Sequence, residues 1–295
     1  MVLDGEVLIA VTSGDVDAVK AWLAADPSRD VNDFCQEVSM DSGKPTMLHS
    51  VIAYVLGAGR TEARVAMIRW LLANGADPGV HREPVGSPPL YMAVGSAGTS
   101  DHAVEIVSLL LEAAPLERHI AYGLTPLRAP IIKLLRKVLN PTPGEDYNPR
   151  AVVEMVRLLL RHGAPLDDST DCTRLQPREF SADFFLRECE RRNPEFLHNE
   201  AFVEIKAMTA GVRACGGSWK SYCRLPHKQI LRLRSLVSRG RARPRREPIL
   251  QQLRFRRTIP ILKKRAAAYR SIVFLCKLGD NGVVWTILEF WQATR

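Results

Sequence analysis

A leucine-rich run that stops at a glycine turn comes back several times in this chain, and that confines it to a row of short helices. IRWLLANGADPG (residues 68–79) has the apolar density of a packed helix as far as Ala73. Gly75 is the expected left-handed cap, because it has no Cβ to clash at positive φ. Asp77, Pro78 and Gly79 supply turn chemistry directly afterwards. VRLLLRHGAPLDD (156–168) puts Gly163, Ala164, Pro165 and Asp167 in matching places. IVSLLLEAAPLERH (106–119) carries Ala114 where the glycine would be, and VKAWLAADPSRDVND (19–33) is the N-terminal copy. A second phrase precedes each: PTMLHSVIA (45–53), SPPLYMAVG (87–95), GLTPLRAPI (123–131) and a truncated VLIAVTSGD (7–15).

A Thr-Pro-Leu-His-like start, a short helix, a second leucine-rich helix and a Gly-Ala-Asp turn resemble the ankyrin-repeat family, over residues 5–170. The resemblance implies an all-α fold: a short, irregular ankyrin-repeat solenoid of about four units, followed by a helical, basic C-terminal region. From Leu71 to Leu110 is 39 residues and from Leu110 to Leu159 is 49, against about 33 for an ordinary unit. The excess falls between the two phrases of one unit, around YVLGAGRTEA and NPTPGEDYNP. Loops there cost little, since closure entropy grows only logarithmically with length. Leu71 and Leu159 are expected in the core. By the same resemblance His49 is structural, hydrogen-bonding the turn between repeats. The implied function is non-catalytic recognition of a protein partner on a concave surface of turn tips and first helices. The tips carry over to Asp30–Phe34, Val80–Val85 and Arg118–Tyr122. His81, Arg82, His119 and Tyr122 are their expected exposed anchors.

Charge divides the chain. Residues 1–200 hold 20 Lys and Arg against 28 Asp and Glu, whereas residues 201–295 hold 21 against 4. Residues 171–215 are expected to cap the array, since a terminal unit needs a polar outer face. In SADFFLRECERRNPEFLH (181–198), Ser181 is the expected N-cap, with Phe184, Phe185 and Cys189 toward the last repeat and Arg187, Glu190 and Arg191 toward water. A second amphipathic helix (199–214) ends at Gly216-Gly217. Within the basic region, 216–295, LPHKQILRLRSLVSRG (225–240) predicts a helix with Pro226 in its first turn. RARPRREP, within the arginine-rich linker 239–248, is too charged and proline-rich for regular structure.

In LGDNGVVWTILEFWQ (278–292), Val284, Leu288 and Trp291 share one helical face, and Val283, Ile287 and Phe290 the adjoining one. A helix this apolar must dock. It resembles the opening of F-box-like and related degron-adaptor boxes. Together with GSWKSY (217–222) and LRSLVSRGRA (233–242), it is also similar to the closing motif of algal ankyrin proteins. That resemblance implies a ubiquitin-ligase subunit as partner, held by Trp285, Leu288, Phe290 and Trp291. Gly279 and Gly282 depart from the box, and the plainer expectation is a helix that closes its own domain. A third reading rests on Arg239, Arg241, Arg243, Arg245, Arg246, Arg254, Arg256, Arg257, Lys263, Lys264 and Arg265, a density suited to nucleic acid or an acidic partner. Between 224 and 270 only Phe255 and Tyr269 interrupt the charges, which leaves no stacking platform.

Cofactor, metal and catalytic sites are not expected. In VLGAGRTEA (55–63), Glu62 occupies the third position of a G-x-G-x-x-G pattern, where a carboxylate would repel pyrophosphate. Cys215, Cys223 and His227 lack the close pair of a zinc site, and no nucleophile elbow occurs. The six cysteines are scattered without a C-x-x-C pair, the opening residues lack a basic n-region, and no apolar run approaches the ~20 residues of a membrane span. An intracellular protein with reduced thiols is expected.

Overall fold

The computed structural model describes residues 2–3, 5–35, 45–58, 62–80, 88–100, 102–120, 124–140, 147–168 and 181–238. Among these the chain is helical, apart from a parallel pairing of two short strands, β1 (Val2–Leu3) and β2 (Phe34–Cys35), in the register Val2–Phe34 and Leu3–Cys35. It divides into two compact units, Met1–Gly217 and Ser218–Arg295.

In the first unit the helices come in consecutive pairs. These are α1 (Gly5–Ser13) with α2 (Val16–Ala24), α3 (Met47–Ala58) with α4 (Glu62–Ala73), and α5 (Pro89–Gly95) with α6 (Ala103–Ala113). The last two are α7 (Arg128–Leu139) with α8 (Pro149–Arg161), and α9 (Ala182–Arg192) with α10 (Glu200–Ala214). Helices pack within each pair and also from pair to pair. The first members form one row, α1 on α3, α3 on α5 and α5 on α7. The second members form another, α2 on α4, α4 on α6, α6 on α8 and α8 on α10.

Local chemistry sets the starts. Asp15 caps α2 by accepting from Ala18 N at 3.0 Å. Asn148 caps α8 by accepting from Arg150 N and Ala151 N, with Pro149 at the first helical position. Asn199 caps α10 by accepting from Phe202 N at 3.0 Å. The stops are equally local. Gly75 sits at φ 90° and Gly163 at φ 84°, the left-handed conformation expected of both.

Apolar burial fills the space between rows. Leu71 and Leu159 are fully buried, as are Met47, Ile52, Leu90, Leu110, Leu127, Ile131 and Leu134. α8 buries Val152, Val153, Met155, Val156, Leu159 and Leu160, which together form one broad apolar face. It has neighbours on three sides: α6, α7 and α10.

Four expectations need correction. The extra length between Thr46 and Gly75 is partly helix, since Tyr54–Ala58 lengthens α3 to 12 residues. Phe184 is not turned toward the array but is 65% exposed. The backbone bond from Ala182 N to Leu166 O and the ion pair of Asp183 with Arg213 rotate α9, so that Ala182, Asp183 and Leu186 are its buried residues. Ser181 occupies the N-cap position of α9 as expected but makes no capping bond with its side chain; its backbone bridges to Asp167. Pro226 lies inside α11 (Trp219–Ser238), not in a first turn. Gly216 and Gly217, at φ 75° and 78°, break the chain earlier, and Ser218 then caps α11 by accepting from Ser221 N at 3.3 Å.

Leu71→Ala or Leu159→Ala should lower the unfolding free energy by about 2–5 kcal/mol in urea titrations. Glycine replacements should separate by space. At Gly75 an added Cβ meets nothing within 4 Å, so Gly75→Ala carries only the left-handed penalty of roughly 1–2 kcal/mol. At Gly14, also at φ 90°, the Cβ would lie 2.5 Å from the Ala63 carbonyl carbon, so Gly14→Ala must push α4 away and should cost more.

Candidate functional site

A concavity lies between α5 and α7. Its walls are Tyr91, Gly95, Leu124, Thr125, Arg128, Ala129, Ile132, Lys133, Arg136 and Lys137, around about 540 Å³. Two hydrogen bonds fix the register of these helices. Tyr91, in the first turn of α5, donates its hydroxyl to Leu124 O just before α7 begins. Lys133, in the middle of α7, donates to Gly95 O at 2.9 Å, at the last residue of α5. So α5 ends beside Lys133 while α7 continues to Leu139. Seven residues of helix span about 10 Å and twelve about 18 Å. The groove opens where the shorter helix stops.

α7 reads RAPIIKLLRKVL. Pro130, Ile131, Leu134 and Leu135 are buried, so residues 128, 129, 132, 133, 136 and 137 form the opposite stripe. All four cations of the helix lie on that stripe, and no carboxylate lines the groove. Arg128 is held by Asp168 at 2.9 Å, whose side chain is 1% exposed. Asp168 also accepts from Thr125 N at 2.8 Å, so the pair belongs to the framework. Lys133 adds a bond to Thr99 Oγ1 at 2.7 Å and closes the carbonyl end of α5. Arg136 is exposed and Lys137 half-buried.

Of the residues expected as partner anchors, the structure describes His119. His119 is fully buried in a 3-10 turn, Leu116–His119, which corrects the expectation of an exposed tip residue. Its Nε2 is 3.2 Å from Ala114 O. The turn after α6 has Ala114 in extended backbone where the α4 and α8 copies have the left-handed Gly75 and Gly163. His81, Arg82, Tyr122, Trp285, Leu288, Phe290 and Trp291 lie outside the described residues. So does the basic segment from Arg239 onward. His49 is buried as expected of a structural histidine, with Nδ1 2.8 Å from Thr46 Oγ1.

Sequence reading passed over α7, though the signal was there: four cations at spacings 5, 3 and 1 and no acidic residue, inside the acidic part of the chain. It also passed over Arg213. This residue holds Asp167 through two nitrogens at 2.6 and 3.0 Å and reaches Asp183 as well. The guanidinium holds the Asp167 carboxyl below its ordinary pKa. Among the described residues no group of three or more His, Cys, Asp or Glu could hold a metal ion. No helix among them is long and apolar enough to cross a membrane. Compared with protein-family models, with curated proteins and with solved structures, the chain matches none.

Burial of His119 has a pH consequence. Desolvation pushes its pKa below the ordinary 6.5, outweighing the opposite pull of the Ala114, Leu110 and Pro78 carbonyls and of Asp77. On acidification the unfolded chain takes up this proton first, near pH 6.5, so stability falls below that pH until the lower folded pKa is reached. Thermal unfolding across this window should show a steeper decline for the native chain than for His119→Gln. Equal slopes would remove His119 as the source.

Proposed function

We propose that this chain is a non-catalytic protein-recognition module of the ankyrin-repeat kind, using the surface of its first-row helices to hold a protein partner. The observation that carries this reading is the two-row order of packing, α1–α3–α5–α7 beside α2–α4–α6–α8–α10. Each pair meets its sequence neighbours, an arrangement that yields a long surface rather than an enclosed chamber. The first row displays different groups along its length. It offers Ile9 at 70% exposure in α1, Tyr54 at 47% in α3, and the cationic stripe in α7. When Leu48 of α3 is aligned with Leu127 of α7, Tyr54 takes the place of Lys133, so these groups occupy equivalent positions.

The buried polar groups have structural duties that fit a framework. His49 ties the start of α3, and Asp183 pairs with Arg213. Binding energy in such a module comes from a few exposed aromatic, aliphatic and arginine side chains rather than from activated nucleophiles.

The test is quantitative capture from cell extract with the full chain and with Ile9→Arg and Tyr54→Glu, both at solvent-facing positions. A protein retained by the native chain and lost from either variant, at unchanged thermal stability, is the expected result. Capture indifferent to both substitutions, or no protein retained above an unrelated bait, would overturn the reading.

A further inference from the structure

We propose that α11, in the second unit, holds the phosphate backbone of a nucleic-acid duplex through Lys220, Arg224, Lys228 and Arg232, an activity separate from protein recognition by the first unit. All four are exposed. They stand at successive i, i+4 positions, which lines them along one side of the helix.

Charge balance is the first argument. Residues 218–295 hold 19 Lys and Arg against 3 Asp and Glu, so the carboxylates of that stretch can neutralise only a small part of its charge. None of those acids falls within α11, and none occurs between Glu204 and Glu247. Exposed cations of the first unit are treated differently. Lys20 has Asp17, Arg69 has Glu62 and Glu105, and Arg191 and Arg192 share Glu188. Among the described residues none of the four α11 cations has such a partner.

Helix energetics is the second. Lys220 stands in the first turn, where the positive end of the helix dipole disfavours a cation. Lys220 with Arg224, Arg224 with Lys228 and Lys228 with Arg232 set like charges at the spacing that destabilises a helix. No acid within α11 offsets these repulsions, whereas an external polyanion turns all four cations to use.

Dimensions and side-chain type select the ligand. From Lys220 to Arg232 the row rises about 18 Å in even steps of about 6 Å. Over that length one strand of a duplex presents about five phosphates. The described exposed residues of α11 are Lys220, Arg224, Leu225, Lys228 and Arg232, with no aromatic ring among them. Trp219 and Tyr222 are half-buried, with ring centroids 5.4 Å apart. Single strands bind on exposed stacking rings; a duplex backbone needs only cations and is held without regard to base sequence.

The experiment is fluorescence anisotropy of the full chain with short labelled duplexes of DNA and of RNA, repeated over a range of salt concentrations. Saturable binding to at least one duplex is expected, and the preferred form identifies the natural ligand. Gln at all four positions should reduce the slope of log affinity against log salt by about 3 to 4, since each phosphate contact contributes about 0.9. Lys220→Gln with Arg224→Gln, and separately Lys228→Gln with Arg232→Gln, should each reduce it by about 2. These pairs keep the test valid if the fourfold variant disturbs folding. Arg191→Gln with Arg192→Gln, on α9, should leave the slope unchanged. No saturable binding at low salt, a slope indifferent to the α11 substitutions, or binding of oligothymidine but of neither duplex would overturn the assignment. So would binding to phosphatidylserine vesicles without binding to a duplex, which points to a membrane. Displacement by polyglutamate as efficient as by unlabelled duplex would overturn it too, in favour of an acidic protein.

Discussion

A two-helix pair with apolar residues on both broad sides has no stable existence alone, and the whole first unit follows from that. Ile131 and Leu134 of α7 and Val152, Val156 and Leu159 of α8 are all essentially buried. They become so because α5 and α6 cover one side and α10 the other side of α8. Burial of one large aliphatic side chain contributes about 1.5–3 kcal/mol, while each ordered backbone residue costs about 1–2 kcal/mol. A pair that covers only one of its faces therefore cannot offset its own ordering. Pairs stabilise one another, and the chain order becomes the spatial order.

Packing of leucines alone would let pairs slide, and polar bonds between successive turns prevent that. Asn32 donates to Gly75 O at 3.1 Å and accepts from Asp77 N at 2.7 Å. Further along, Thr125 donates its amide to Asp168 at 2.8 Å while Arg128 grips the same carboxylate. The bonded residues stand 40 to 45 apart in sequence, close to one pair's length. At the α8–α10 end the same task falls to Arg213, which joins Asp167 in the turn after α8 to Asp183 at the start of α9. A half-exposed guanidinium with two carboxylates fixes direction more than it adds stability. Phe196 and Phe202, buried and stacked with centroids 5.0 Å apart, supply the apolar part of that junction.

What the sequence made legible was whatever depends on a short local rule. Gly75 and Gly163 announce themselves because only a residue without Cβ accepts φ near 90° cheaply, and Leu71 and Leu159 sit at fixed offsets before them. Asn199 was unremarked as a cap, yet its rule is equally local. Orientation was harder. Phe184 looks like core by residue type, but α9 is rotated by a backbone bond to Leu166 and an ion pair to Arg213 thirty residues on, which no window of periodicity contains. His119 looks exposed for the same reason in reverse: it follows a turn lacking the usual glycine, and Ala114 leaves the helix in extended backbone. The groove required two facts at once, the stripe on α7 and the early end of α5. The first is written in the sequence, whereas the second follows from Gly95 meeting the turn through Gly98 at φ 79°.

Helix electrostatics alone would place some of these cations without any ligand. Arg136 and Lys137 stand in the last turn of α7, where each gains about 0.3–1 kcal/mol from the carbonyl end of the helix dipole. Arg128 stands at the opposite end, where the dipole disfavours it, and Asp168 compensates. Lys133 is mid-helix and satisfies a different helix altogether. If dipole complementarity were the whole reason for the charge, an acid in the first turn would serve as well as a base in the last, and α7 has none. Lys133 stands at i, i+3 from Arg136 and at i, i+4 from Lys137, like-charge spacings that destabilise an isolated helix by a few tenths of a kcal/mol per pair. Lys133 recovers that cost through its bonds to Gly95 O and Thr99 Oγ1, and the adjacent pair at the end of α7 gains from the helix dipole.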